Sequence, residues 1–268
     1  MKIILDRSIF HSNFKKLQQS NIKKFVDANI ISVYFTTAFW EETLRLAAQD
    51  KSKLKEQLLF LFCIDKGNWF RPIENIIDFE IKQTKPLPDN YYMFSAEEIV
   101  LKQKDFLDIA HGKIDITPAI ADYKNNVWLK MNKRRCIIKN YCKKNKQSYH
   151  DFDDFCNKEK KYFLNQIKSK HNISNNLEDL SKYPLTESYL KAYMACYYIP
   201  LNNKKMGADR NNRMDAEQLA FLKFSDIMVS EDKKFMKEAF SLLYGNTKKQ
   251  FLTCDEFMKL IQNINLKI

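Results

Sequence analysis

Four acidic residues from distant parts of the sequence could share one site: Asp6, Glu42, Asp215 and Asp232. Carboxylates gathered without basic partners raise one another's pKa unless a cation neutralises them. Carboxylate and water ligands favour Mg²⁺ or Mn²⁺. Such a cation activates water for attack on phosphorus and stabilises the leaving oxygen. Taken singly, such acids are more often turn formers, helix caps or solvated surface residues than metal ligands.

The acids converge only if the chain forms a parallel sheet. Apolar, β-branched runs predict strands at Lys2–Leu5, Ile30–Phe35, Asp226–Val229 and Gln250–Leu252, with helical segments between them. Ligands of such sheets bind at the carboxyl edge of the strands. The first and last acids follow strands, and the other two lie at the starts of helices that flank this edge. The pattern therefore predicts one acidic site at that edge.

The composition favours helices over an all-β fold. The 268 residues include only 4 Gly and 6 Pro, too few for the frequent turns of a sandwich or barrel. Between residues 51 and 205 strand-like runs nearly vanish, while a capping box at Ser95-x-x-Glu98 and a helix start at Thr117-Pro118 are present. The predicted fold class is α/β, a small parallel sheet flanked by helices. Residues 1–50 and 206–268 would form it, with 51–205 as a large, mainly helical insertion or subdomain.

Each acid lies in a short segment, and the segments follow one another in a definite order. They are Ile3-Ile4-Leu5-Asp6-Arg7-Ser8, Thr36-Thr37-Ala38-Phe39-Trp40-Glu41-Glu42, Met214-Asp215-Ala216-Glu217-Gln218-Leu219 and Asp226-Ile227-Met228-Val229-Ser230-Glu231-Asp232-Lys233. As an ordered set they resemble the PIN-domain family of nucleases. The resemblance implies a metal-dependent ribonuclease with the four acids around the metal, and with Ser8 and Ser230 supporting them. The choice of RNA over DNA rests on this resemblance alone.

Three features depart from the family pattern. Arg7 replaces a small residue, and its guanidinium could contact phosphate or compete with the metal. The doublet Glu41-Glu42 offers two candidates for one ligand, and the spacing from Thr36 favours Glu42. The helical middle has no counterpart in the minimal family fold.

A basic segment is a candidate nucleic-acid surface. The formal net charge is +12, and residues 128–146 contain eight Lys or Arg and no acid. Cationic side chains interleaved with aromatic ones suit phosphates and bases, whereas a helix with its charged ends in water explains the pattern equally well. The residues chosen as candidate RNA contacts are Lys130, Lys133, Arg134, Arg135, Lys139, Arg210 and Arg213. The last two precede Asp215 and would meet a bound phosphate, or else lie in a solvated loop.

The remaining features favour a cytoplasmic protein without a membrane anchor. Six cysteines show no CxxC pair, apolar runs stop short of the roughly 18 residues that span a bilayer, and Asp6 interrupts the first run too early for a signal peptide. Two other function classes stay open: a non-catalytic PIN-like RNA-binding protein and a helical interaction or regulatory protein. DNA as substrate, a second copy of the chain and an inhibitor protein also stay open.

Overall fold

The structure is a computed structural model that describes residues 1–83, 88, 91–145, 148–171, 179–203 and 212–265. Its centre is a four-stranded, all-parallel sheet in the order β2-β1-β3-β4. The strands are β1 (Lys2–Leu5), β2 (Ser32–Tyr34), β3 (Ile227–Val229) and β4 (Gln250–Leu252). The predicted α/β class with a small parallel sheet is confirmed.

Helices account for most of the described chain and flank the sheet. They are α1 (Ile9–Ser12), α2 (Phe14–Gln19), α3 (Ile22–Asp27), α4 (Thr37–Leu44), α5 (Lys51–Ile64), α6 (Ile73–Gln83), α7 (Ala96–Ala110), α8 (Thr117–Lys144), α9 (Phe152–His171), α10 (Pro184–Asn202), α11 (Asn212–Phe221), α12 (Phe235–Tyr244) and α13 (Cys254–Asn265). Within these described ranges, no helix has both the length and the apolarity that a bilayer crossing needs.

Alternation along β1 sends its side chains to two separate cores. Ile4 packs with Tyr34 of β2 and Met228 of β3, under residues of α10, α11 and α12. Ile3 and Leu5 face the opposite core, which contains residues of α1, α5 and α13. Because both faces of the sheet are covered, the strands do not alternate: each is apolar after its first residue, and β3 is apolar throughout. The predicted division of the chain at residues 50 and 206 stays a prediction.

The second strand is shorter than the predicted Ile30–Phe35 for a visible reason. The backbone N–H groups of Ile30 and Ile31 donate to the carbonyl of Phe25, at 2.9 and 3.1 Å, and so close the end of α3 instead of joining the sheet. Phe35 leaves the β1 ladder and forms a parallel bridge with Trp69. Apolar, β-branched composition alone does not distinguish these flanking residues from the paired ones.

Local capping sets the starts of three helices. The Thr36 side chain accepts a hydrogen bond from the Phe39 N–H at 3.2 Å and so begins α4 directly after β2. The predicted capping box of α7 is confirmed, with Ser95 and Glu98 satisfying each other's backbone N–H groups. Helix α8 begins at Thr117 with proline in its first turn, also as predicted. Of these three helices, only α4 follows directly on a strand of the sheet.

Candidate active site at the carboxyl edge of the sheet

Asp6 lies at the carboxyl end of β1 and is almost fully buried, with 5% of its surface exposed. Its backbone N–H donates to the carbonyl of Val229 at 2.9 Å, which continues the pairing of β1 with β3. Its carboxylate accepts hydrogen bonds from Ser8 Oγ, from Ser230 Oγ at 2.6 Å and from Gln218 Nε2 at 3.2 Å. A buried carboxylate is tolerated when hydrogen bonds replace water. Three chain segments therefore hold this acid in one position.

The two serines also organise the loop after β3. Ser230 Oγ accepts from the backbone N–H of Asp232 and Ser8 Oγ accepts from that of Glu231, both at 3.0 Å. A hydroxyl has one hydrogen to donate. Since both serines donate theirs to Asp6 Oδ2, the 3.3 Å contact between their oxygens is a close approach rather than a third hydrogen bond. The loop position and the Asp6 position are therefore coupled.

The pKa of Glu42, in the second turn of α4, is affected by burial and by the charge of Asp6. Burial raises its pKa to about 7, and the negative charge of Asp6 contributes to the rise. Glu42 is partly buried whereas Glu41 is exposed. Of the two candidates in the doublet, the structure therefore brings Glu42 into the field of Asp6.

Basic side chains accompany these acids, so the premise that the acids gather without basic partners is wrong. The positive charges of Arg45 and Arg7 both act to lower the pKa of Glu42. Arg45 is one turn after Glu42 on the same segment, and its Nη2 lies 3.5 Å from Met214 Sδ on α11. Arg7 directly follows Asp6 in the sequence and Arg45 follows Glu42 by three positions, so both cations lie in the segments that carry the acids.

Arg7 is the more unusual of the two cations because it is only 3% exposed. Its Nη2 donates to Gln57 Oε1 at 2.6 Å, and its guanidinium lies 5.1 Å from the Phe10 ring centre. Burial lowers its pKa to about 10, against the opposite influence of Glu42 and Asp6. Among the described residues, its Nε and Nη1 atoms are buried without a hydrogen-bond partner. The site thus contains a permanent positive charge with unused donors.

The other two acids are connected to Asp6 less directly. Asp232 is linked through Ser230, and its own Oδ1 accepts from the Lys234 N–H at 2.9 Å. Asp215 lies in the first turn of α11. Its charge, after burial, helps to raise the pKa of the Cys196 thiol.

Gln218 is a site residue that the sequence reasoning missed. It follows Asp215 by three positions, so the two share one face of α11. It is buried, its Nε2 reaches Asp6, and its Oε1 lacks a hydrogen-bond partner among the described residues. The i,i+3 spacing from a predicted ligand was the available signal.

A ready-made multidentate metal centre is not formed by the part of the chain that the structure describes. No three Asp, Glu, His or Cys side chains there are grouped as ligands of one ion. Mg²⁺, however, is commonly bound through one or two carboxylates and keeps several waters. Asp6 and Glu42 are two carboxylates whose charges interact, and Gln218, whose Nε2 donates to Asp6, also carries an amide oxygen without a hydrogen-bond partner among the described residues. This donor set fits a hard divalent cation.

Comparison with protein-family models, with curated proteins and with solved structures finds no match for this chain.

The basic segment is divided between exposed and packed residues. Lys133 and Lys139 are exposed, whereas Arg134 and Arg135 are partly buried. The guanidinium of Arg134 lies 5.2 Å from the ring centre of Tyr193 on α10, so it packs toward the helical core. Arg210 lies outside the described residues, as do the side chains of Lys130 and Arg213. Within α8 the exposed lysines are therefore better candidates for a phosphate than the two arginines.

Proposed function

We propose that this chain is a metal-dependent, PIN-like nuclease that hydrolyses phosphodiester bonds, with RNA as its substrate. The observation that carries the proposal is the pairing of a rigidly held Asp6 with Glu42 at the carboxyl edge of a parallel sheet. Ligands of parallel α/β sheets bind at this edge. Two carboxylates whose charges interact, one of them with a pKa near 7, favour a site that binds a cation.

Each group of the chain has a definite task in this proposal. Asp6 and Glu42 hold Mg²⁺ or Mn²⁺, and Asp215 and Asp232 flank them. When bound, the cation supplies an activated water and charge stabilisation for attack on phosphorus. Ser8 and Ser230 keep Asp6 in place, and Gln218 orients its second oxygen. Because Glu42 changes protonation near pH 7, the negative charge offered to a cation increases as the pH rises through neutrality.

A nucleic acid as substrate is supported by two independent features, of which only the resemblance favours RNA over DNA. The ordered segments around the four acids resemble a ribonuclease family, and the net charge of +12 favours a polyanionic partner. Exposed lysines on α8 supply positive charge outside the acidic site.

A second function is favoured by one observation, the buried Arg7. Its guanidinium partly neutralises the acids, so that the fold tolerates them without a metal. In that case the chain is a PIN-like RNA-binding protein that does not cleave. A cleavage assay separates the two functions.

The test uses labelled single-stranded RNA and DNA with Mn²⁺, Mg²⁺ or EDTA. Asp6→Asn and Glu42→Gln should each reduce RNA cleavage by more than roughly 100-fold, since even residues that only support metal ligands cost about 10- to 100-fold. Glu41→Gln, at the exposed neighbouring position, should retain activity. Cleavage by the Asp6→Asn protein at the parental rate would refute the proposal, as would RNA binding without cleavage under every metal condition.

A further inference from the structure

A cavity of about 470 Å³ lies between α8 and α9, separate from the acidic site. It is a groove largely open to solvent rather than an enclosed pocket. The residues that line it are Ile137, Asn140, Tyr141, Lys144, Asn145, Glu159 and Tyr162. Such a lining combines aromatic rings, amides and a cation in one place.

The aromatic part of the cavity is arranged for stacking. Tyr141 and Tyr162 are stacked with their ring centres 5.7 Å apart and their planes inclined by 26°. Tyr162 and Ile137 each retain 44% of their surface in solvent, although both are large and apolar. The exposed Tyr162 ring beside the apolar Ile137 suits a flat heteroaromatic ring.

The polar floor of the cavity is already organised. Asn145 Nδ2 lies 2.8 Å from the Tyr141 hydroxyl and 2.6 Å from the Tyr149 hydroxyl, and Tyr149 donates to Glu159 Oε1 at 2.9 Å. The one acid of the lining, Glu159, therefore accepts a hydrogen bond from Tyr149 within the protein. Asn140, one turn before Lys144, is exposed at the mouth, with donor and acceptor groups that can meet the edge of a base.

The charge around the cavity selects a polyanion. Both helices carry exposed lysines, of which Lys144 lines the cavity: Lys133, Lys139, Lys143 and Lys144 on α8, and Lys160 and Lys161 on α9. Phosphates carry the affinity in such surfaces, and bases gain contact by stacking on aromatic rings. Bases of a duplex are already stacked on each other, whereas unpaired bases are free to enter a pocket.

We propose that the cavity formed by Ile137, Asn140, Tyr141, Lys144 and Tyr162 receives one unpaired base of a single-stranded RNA, with the strand's phosphates on the lysines of α8 and α9. The proposal rests on the proposed function only for the choice of RNA. It assigns the α8–α9 face to recognition of the substrate, at a place distinct from the acids that act on it.

The experiment measures binding with the cleavage site disabled. The full chain carrying Asp6→Asn is titrated into a fluorescein-labelled single-stranded RNA of about twelve nucleotides in EDTA. Tyr162→Ala should weaken binding by roughly 5- to 100-fold, since one stacked base contributes about 1 to 3 kcal/mol. Tyr162→Phe retains the ring and should bind as the parent does.

Tyr91 offers a matched control, because it is also 44% exposed but lies outside this cavity. Tyr91→Ala should leave the affinity unchanged. Ile137→Glu tests the same cavity without altering a tyrosine, and it should weaken binding by placing a carboxylate at the mouth. Circular dichroism and a thermal melt establish that each variant is folded.

Equal RNA affinity of the parent, Tyr162→Ala and Ile137→Glu proteins would overturn the proposal. It would also be overturned if AMP alone, a duplex RNA of the same length or polyglutamate bound as tightly as the single strand and competed with it. Binding that depends on Tyr162 in a protein that never cleaves RNA would support this site while refuting the nuclease. Metal-dependent cleavage, with RNA binding unaffected by the Tyr162 and Ile137 substitutions, would support the nuclease and refute this base-binding site.

Discussion

The hydroxyl of Ser230 donates a hydrogen bond to Asp6 Oδ2 at 2.6 Å, although the two residues are 224 positions apart in sequence. The parallel pairing of β1 with β3 brings them together, since Leu5 is opposite Val229 in the ladder. The same hydroxyl accepts the N–H of Asp232. The Ser230 side chain therefore fixes the buried Asp6 relative to the loop that carries Asp232.

Ser230→Ala should destabilise the protein by about 1 to 3 kcal/mol, because a buried carboxylate oxygen and a backbone N–H each lose a partner. Ser225, at the other end of the same strand, is the matched control. It is 1% exposed, and its Oγ lacks a hydrogen-bond partner among the described residues. Ser225→Ala should be neutral or stabilising. Urea unfolding measures both, and equal losses in the two variants would contradict this account of Ser230.

Glu42→Gln should change how stability depends on pH. In the folded protein the pKa of Glu42 is raised from 4.5 to about 7, so the folded state binds more protons than the unfolded state between these values. The free energy of unfolding therefore falls as the pH rises through this window, with a contribution on the order of 1 to 3 kcal/mol from this group. Glu42→Gln should remove that contribution.

Urea unfolding in EDTA at pH 5 and pH 8 gives the change in the free energy of unfolding with pH. The difference in this change between the parent and Glu42→Gln is the contribution of Glu42. Glu41→Gln, at the exposed position beside it, should retain the parental slope. A Glu42→Gln protein with the full parental pH dependence would show that Glu42 titrates as an ordinary surface acid.

Arg7→Met should raise the pKa of Glu42 further, because the guanidinium stabilises its charged form. The change also removes the donor to Gln57, so some loss of stability accompanies it. The midpoint of the Glu42 titration, followed by carboxyl-carbon NMR against Glu42→Gln for assignment, should move upward from about 7. Arg71→Met, which breaks the surface pair with Glu98, should leave it in place. A downward shift on replacing Arg7 would mean that its charge does not act on Glu42.

Glu80 should be a major determinant of stability in the helical part. It is fully buried, and its carboxylate accepts from the Tyr92 hydroxyl at 2.9 Å, from the Leu185 and Thr186 N–H groups at 3.0 and 2.7 Å, and from Thr186 Oγ1 at 2.6 Å. It thereby satisfies the first turn of α10. Glu80→Ala should cost roughly 3 to 5 kcal/mol, as expected when buried partners are left behind.

Glu74, on the same helix, provides the comparison for Glu80. It pairs with Lys170 at the surface, at 2.6 Å. Such pairs contribute about 0 to 1 kcal/mol, so Glu74→Ala should change stability little. Denaturant midpoints that fall equally for the two variants would refute the role given to Glu80.

Local sequence patterns predicted the elements of the sheet better than they predicted the environment of the site. The strand Lys2–Leu5 is apolar and ends at a charge, and the caps at Thr36 and Ser95 depend on neighbours within three residues. These signals are local, so one sequence suffices to find them.

The partners of the site depend on contacts between distant segments, and sequence patterns do not contain them. The sequence around Gln57 on α5 does not indicate that its side chain accepts a hydrogen bond from Arg7, fifty positions earlier. Arg134 is a second example. The basic segment in which it lies predicts a phosphate contact, whereas its guanidinium packs over Tyr193 in the fold. Burial of a charge is decided by tertiary packing, which periodicity does not specify.

The central claim is that Asp6 and Glu42 form one divalent-cation site, and thermal melts in EDTA, Mg²⁺ and Mn²⁺ test it most directly. A cation that binds only the folded state should stabilise the parent by about 2.7 kcal/mol at a hundredfold excess over its Kd. The account predicts that the metal-induced rise in Tm is present in the parent and in Glu41→Gln, and is lost in Asp6→Asn and Glu42→Gln. Equal rises in all four proteins, or no rise in the parent, would contradict it.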